Sequence, residues 1–247
     1  MNLYRIGKTE AIALIVVFML NHLILDLPKV FFETAGSAAW LNAIYVSLLA
    51  IAFLFLILKL FKNFKGMDIL DVSKFLGGKI IIGILFIIFF LTIPSSLLRD
   101  LCRSLNIVYF KNIPTSLLLL VFLLVASIAN RIGNNVIVKI TTIITSIVLL
   151  NLAITFLIAT FNADINNIFP LLGNGASEIF LSGASNVFAF SGIAILYFIM
   201  PMLKDSSNFN KIGLLGIGIS GLYLILGIFS LLLSFSHIVE VYDFSPI

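Results

Sequence analysis

The chain alternates between long apolar runs and short polar segments. Each run approaches or exceeds the twenty or so residues that a helix needs to cross a bilayer. The seven runs are residues 10–33, 38–61, 79–104, 115–131, 135–160, 184–203 and 211–236. A backbone in lipid must satisfy its own N–H and C=O groups, and a helix does so within one segment. The pattern therefore predicts an all-α integral membrane protein with about seven transmembrane helices.

The first and sixth of these runs carry polar residues followed by a proline several positions later. The first contains NHLILDLP (21–28), and the sixth contains SGIAILYFIMP (191–201). Such interruptions are tolerated where the backbone lines a cavity or is buried in protein, and paired broken helices mark the binding site in one class of transporters. We therefore expect discontinuous first and sixth helices, with breaks near 21–24 and near 190–192.

The remaining polar features have simpler interpretations. Isolated amides in the spans, among them Asn151 and Asn186, are expected to make helix–helix hydrogen bonds. The stretch KNFKGMDILDVSKFLGG (62–78) mixes apolar and charged residues, which predicts a short amphipathic helix on the membrane surface. The stretch DINNIFPLLGNGASEIF (164–180) is rich in Asn and Gly and predicts a loop with a short re-entrant or surface helix.

Composition and charge agree with this interpretation. The chain is 61% hydrophobic and 11% charged, with a mean hydropathy of +1.21, whereas a soluble domain is about a quarter charged. With a cytoplasmic N terminus, eleven of the fifteen basic residues lie on the inner side. This bias follows the positive-inside rule and predicts an inner N terminus. The net charge of +4 arises from these loops and does not indicate a nucleic acid partner.

No enzyme, cofactor or metal site is predicted. GIGISG (216–221) matches the dinucleotide fingerprint, but it lies in an apolar span with no preceding strand. Gly216 and Ser220 are better explained as a small-xxx-small pair that lets helices approach closely. Cys102 is the single cysteine, so an internal disulfide is excluded, and no paired carboxylates or metal-ligand spacing occur in the spans.

Four stretches in order resemble the spore germination permease family, the B subunits of nutrient germinant receptors within the amino acid–polyamine–organocation superfamily. They are LDLPKVFFETAGSAAWL, FKNFKGMDILDVSKFLGG, INNIFPLLGNG and FAFSGIAILYFIMPMLK. The resemblance implies a five-plus-five inverted-repeat transporter fold in the spore inner membrane. It also implies A- and C-type receptor subunits as partners and an amino acid or similar germinant bound between the first, third, sixth and eighth spans.

The chain departs from the family pattern in three places. It ends at Ile247, after the seventh run, where the family continues for three more spans. It has Asn21-His22-Leu23 where the family break is rich in glycine, and Ala194 where many members have glutamate. The expectation is thus an incomplete version of the fold in one membrane domain, 1–247. Residues 1–160 would form the first five-helix repeat, 164–183 an outer loop or re-entrant segment, and 184–247 part of the second repeat.

The candidate ligand-binding residues combine the polar pattern with the resemblance. The polar pattern contributes His22 and Ser191. The resemblance places Asn21, Phe89, Ile93, Gly192 and Ile195 in the pocket. The leading hypothesis is a receptor subunit that binds a small nutrient and signals germination to its partners. The alternatives are a secondary amino-acid transporter and a truncated, non-functional paralogue, and the sequence does not name the ligand.

Overall fold

The computed structural model describes residues 5–25, 27–75, 77–111 and 113–241; for 21–25, 27, 134, 162 and 235–241 it describes the backbone alone. Within these ranges every regular element is helical, apart from one parallel bridge between Ile6 and Leu203. The α-helices are α1 (Lys8–Leu25), α2 (Leu27–Ala35), α3 (Ala39–Lys62), α4 (Ile69–Phe75), α5 (Lys79–Val108), α6 (Thr115–Ile132), α7 (Asn134–Ala159), α8 (Ala176–Phe180), α9 (Leu196–Ile199) and α10 (Phe209–Val241). Six 3₁₀ helices join them: Gly36–Ala38, Thr160–Asn162, Ile165–Ile168, Ser182–Ile195, Met200–Met202 and Ser206–Asn208.

Six segments of the described chain are long and apolar enough to cross a membrane. They are Pro28–Lys62, Lys79–Val108, Thr115–Ile132, Asn135–Ala159, Ala176–Met202 and Ser206–Ser234. The apolar helix α1 has 18 residues, the same number as α6. The all-α membrane fold with about seven long helices is therefore confirmed.

The break predicted near 21–24 is wrong. The backbone is helical without interruption from Lys8 to Leu25, and α2 is described from Leu27. Asp26, between them, lies outside the described residues. The polar pair Asn21 and His22 therefore lies within a helix.

Helix α10 packs against α1 and α3 through small residues. A Cβ atom placed on Gly216 would lie 2.7 Å from Ile15 Cγ2, and one on Gly213 would lie 2.8 Å from Leu54 Cδ1. Ser220, one turn beyond Gly216, is buried, and its hydroxyl donates to the Gly216 carbonyl. The small-xxx-small interpretation of this stretch is confirmed, because the backbones approach where side chains are missing.

Three helices lie at the periphery of this core. Cys102 is the buried residue of α5, α6 has no buried residue, and α7 buries Val138 and Thr145. The exposed large apolar side chains of these helices are Leu, Ile and Val. Such a surface is suited to contact with lipid tails.

The segment after α7 closes one end of the bundle. The Asn174 side-chain amide donates to the carbonyls of Glu33 (3.3 Å) and Thr34 (3.1 Å), and its backbone N–H donates to that of Ala35 (3.4 Å). These carbonyls end α2 and have no partner within the helix. Gly173 approaches so closely that a Cβ there would lie 2.0 Å from the Ala35 oxygen, and its φ of +49° also favours glycine.

The contact between Gly216 and Ile15 predicts opposite effects of two alanine substitutions on one helix. Gly216→Ala should lower the free energy of unfolding by roughly 1–3 kcal/mol, because the added methyl overpacks the interface. Gly218 has no atom within 4 Å of its Cβ position, so Gly218→Ala should be neutral or gain up to about 1 kcal/mol of helix propensity. Unfolding of the two variants in detergent micelles measures the difference, and equal stability would contradict the close approach.

Candidate ligand-binding site

The sixth predicted span is a kinked 3₁₀ segment in its first half. Residues Ser182–Ile195 form a 3₁₀ helix, and Phe190 leaves helical geometry with φ −95° and ψ 20°. The segment is rich in Gly, Ser and Asn, which are weak α-helix formers. A stretch of 3₁₀ geometry within a longer helix often marks a functional hinge. The break predicted near 190–192 is confirmed, although most of this span is 3₁₀ rather than α-helical.

Gly192 is the point where the kinked segment crosses α1. A Cβ atom placed on Gly192 would lie 3.0 Å from the carbonyl carbon and oxygen of Phe18 and 3.1 Å from Met19 Cγ. Phe18 precedes Asn21 by three residues, so the contact lies one helical turn from the predicted polar pair. The structure thus brings Gly192 against the helix that carries Asn21 and His22.

The predicted residues of α1 and of the kinked segment differ in how far they can be placed. Asn21 and His22 have helical backbones within α1, and their side chains lie outside the described part of the chain. Ser191 is half-buried beside the buried Gly192. Ile195 is half-buried and packs on the main hydrophobic core. Their role in binding stays a prediction.

The side chains of both predicted residues on α5 lie in the described part of the chain. Phe89 and Ile93 are both half-buried, and the Phe89 ring meets the Phe90 ring edge to face at 5.4 Å. Phe90 in turn contacts Phe198, at 5.7 Å, and Phe86 contacts the same ring at 4.9 Å. The ring contacts that join α5 to the segment after the kink therefore come from Phe86 and Phe90, next to the predicted residues.

A buried pair of asparagines fixes the start of the kinked segment. Asn186 Nδ2 donates to Asn42 Oδ1 at 2.8 Å, and Asn42 Nδ2 donates to the Ile179 carbonyl at 2.7 Å. Both side chains are buried. Gly183 leaves the space that the Asn42 amide occupies, since a Cβ there would lie 2.1 Å from Asn42 Nδ2. Sequence reasoning foresaw a helix–helix bond for Asn186 but missed Asn42, whose signal is a lone amide in an apolar span.

The two crossing segments carry no strong charge. Residues 11–25 and 182–203 contain no Asp, Glu, Lys or Arg. A ligand held here would be recognised by backbone groups freed at the kink, by hydroxyl and amide side chains, and by His22. Among the described residues no group of three or more His, Cys, Asp or Glu is placed to hold a metal ion.

These features define a multi-pass membrane protein with a transporter-like helical fold. A model of the family described as spore germination protein matches residues 5–240 of the chain. The chain therefore belongs to this family of spore germination membrane proteins.

Curated relatives support the assignment at low identity. Spore germination protein B2 of Bacillus subtilis is 23% identical over 81% of this chain and 55% of its own length. Spore germination protein KB of the same organism is 23% identical over 88% of this chain and 60% of its own length. Spore germination protein YndE of the same organism is 22% identical over 87% of this chain and 60% of its own length. The chain thus spans little more than half the length of these relatives, and no solved structure matched it.

Because the two asparagines are hydrogen-bonded, substitutions at Asn42 and Asn186 should have non-additive effects on stability. Asn42→Leu should cost roughly 1–3 kcal/mol of stability, because it leaves the Asn186 amide and the Ile179 carbonyl buried without a partner. With Asn186→Leu already present, Asn42→Leu should cost less, since one of those unpaired groups is gone. Thermal unfolding of the two single variants and the double variant measures the coupling.

The helix–helix bond expected for Asn151 is not formed among the described residues: its amide is exposed on α7, so Asn151→Leu is the matched control. It should change stability little. Strictly additive effects at Asn42 and Asn186, or an equal loss at Asn151, would contradict the pairing.

Proposed function

We propose that the chain is the membrane subunit of a nutrient germinant receptor. It binds a small germinant such as an amino acid and signals germination through A- and C-type receptor subunits. The names of its relatives and its family motifs support this function, and the kinked segment supports a site for a small molecule. No chemical conversion of the ligand forms part of the proposal.

The contact of Gly192 with Phe18 and Met19 carries the proposal. It brings an irregular backbone segment onto α1, in a region without charged residues that could dominate recognition. The ligand would lie beside this crossing, with Asn21, His22, Ser191 and Gly192 nearest to it. Phe89, Ile93 and Ile195 would form its apolar wall. Binding changes the signal only if it favours one of two arrangements of these segments.

The proposed setting is the spore inner membrane with a cytoplasmic N terminus. In this orientation residues 1–160 form the first repeat, 164–183 an outer loop, and 184–247 part of the second repeat. Eleven basic residues then lie inside and four outside, which is the bias that orients membrane proteins.

A ligand-dependent thermal shift tests the binding site. Purified chain should be stabilised by at least one of the common amino acids, because a ligand at about a hundred times its Kd adds roughly 2.7 kcal/mol to the folded state. Gly192→Ala should fold yet lose most of this shift, since its methyl group would lie against Phe18. Gly218→Ala, with open space around its Cβ position, should retain the shift.

The outcome separates two functions and tests the site itself. A shift without gradient-driven accumulation of the same amino acid in liposomes supports the receptor. Robust accumulation would favour the secondary transporter instead. Folded protein that responds to no amino acid would contradict the proposed site.

Cysteine labelling tests the orientation. Leu172 and Lys65 are exposed at opposite ends of the bundle, and Cys102 is buried and can be replaced by serine. In right-side-out vesicles an impermeant thiol reagent should label Leu172→Cys and leave Lys65→Cys unreacted until the membrane is opened. The reverse pattern would invert the topology.

A further inference from the structure

The connection between α3 and α5, residues 62–81 and called here the basic hairpin, is held firmly against the bundle. Ile69 and Val72 of α4 are buried, and the Gly66 N–H contacts Met200 Sδ at 3.3 Å. The Asp71 N–H donates to Asp68 Oδ1 at 2.8 Å, which caps the start of α4. The hairpin therefore presents one defined face outward.

The hairpin also exposes large apolar side chains. Phe75 is 70% exposed, and its ring lies 6.1 Å from that of Phe64. Ile80 and Ile81, in the first turn of α5, are 78% and 68% exposed. Because α5 continues from here as a membrane-crossing helix, these side chains lie where the hydrocarbon layer meets the headgroups.

Four lysines lie within the basic hairpin. Lys62, Lys65, Lys74 and Lys79 are all exposed, and none of them makes an ion pair with another described residue. The ion pairs of the described chain, Lys29–Glu33 and Arg99–Asp100, lie elsewhere. The ammonium groups of the hairpin are thus available to an external anion.

Asp68 and Asp205, at this end, accept hydrogen bonds from groups close by in the sequence. Asp205 accepts hydrogen bonds from the backbone and hydroxyl of Ser207, which hold the pKa of its carboxyl below its usual range. Asp68 accepts from the Asp71 N–H. The alternating direction of the helices places eleven basic residues at this end against four acidic ones in the described chain: Glu10, Asp68, Asp71 and Asp205.

We propose that the basic hairpin is a binding surface for anionic phospholipid. The lysines bind the headgroup phosphates, while Phe75 and the two isoleucines enter the acyl boundary beneath them. Lysine near a membrane surface attracts acidic lipid, and exposed apolar side chains nearby fix the depth of the segment. An acidic protein would pair with the lysines, but it would leave the apolar side chains without the contact with lipid tails that they need. The proposal does not depend on the ligand or on the receptor role.

Quenching by brominated lipid tests it on the full chain. In a Trp40→Phe background, Phe75→Trp provides a single fluorophore at the exposed centre of the face. Vesicles contain phosphatidylcholine with a minority of phosphatidylglycerol, and equal amounts of one or the other carry bromine in the acyl chains. Brominated phosphatidylglycerol should quench severalfold more strongly, and added salt should reduce the difference.

Two charge variants decide the cause. Lys65→Gln with Lys74→Gln should remove the preference for phosphatidylglycerol, whereas Lys111→Gln, an exposed lysine at the other end, should leave it intact. Helix content by circular dichroism verifies the fold of each variant. Equal quenching by both lipids, a preference that survives the double substitution, or no quenching by either lipid would overturn the proposal.

Discussion

The close approach of α10 to α1 and α3 is the constraint on which the rest of the structure depends. Lipid tails are as apolar as leucine, so helices in a membrane gain little from burying apolar surface against each other. Their association is stabilised by van der Waals packing instead. Here that packing occurs where Gly213 and Gly216 allow Leu54 and Ile15 to reach the α10 backbone. With these three helices in place, α1 presents Phe18 and Met19 to the kinked segment, and the candidate site follows from that geometry.

The kinked segment depends on a second interaction of a different kind. A 3₁₀ stretch has poorer hydrogen-bond geometry than an α-helix and needs support from its surroundings. The Asn42–Asn186 pair supplies it on one side of Phe190, and the close contact of Gly192 with α1 supplies it on the other. A ligand that altered the crossing would act on a segment anchored at its start by a buried polar pair. Under the proposed function, that arrangement would let a bound small molecule change the position of a helix.

The two ends of the bundle differ in what they offer to their surroundings. One end is closed by the loop that carries Asn174, which satisfies the last carbonyls of α2. The other end is basic, with the hairpin 62–81 and its unpaired lysines. Ile6 joins the N-terminal segment to Leu203 at that same end, through hydrogen bonds with the backbone of Met202 and Lys204. The first and sixth predicted spans are thus connected at the basic end as well as at the crossing.

The sequence by itself determined the all-α membrane fold, the approximate spans, the amphipathic helix after α3 and the family, because length and hydropathy of a span are local properties that lipid imposes. It also identified Gly216 and the break near Phe190. The tertiary structure decided that the first run stays helical through Asn21 and His22, which amide Asn186 meets, and which α5 rings face Phe198. These features depend on contacts between residues far apart in the chain, such as Asn42 and Asn186. The spacing of apolar residues along one helix does not determine which residues of another helix it will meet.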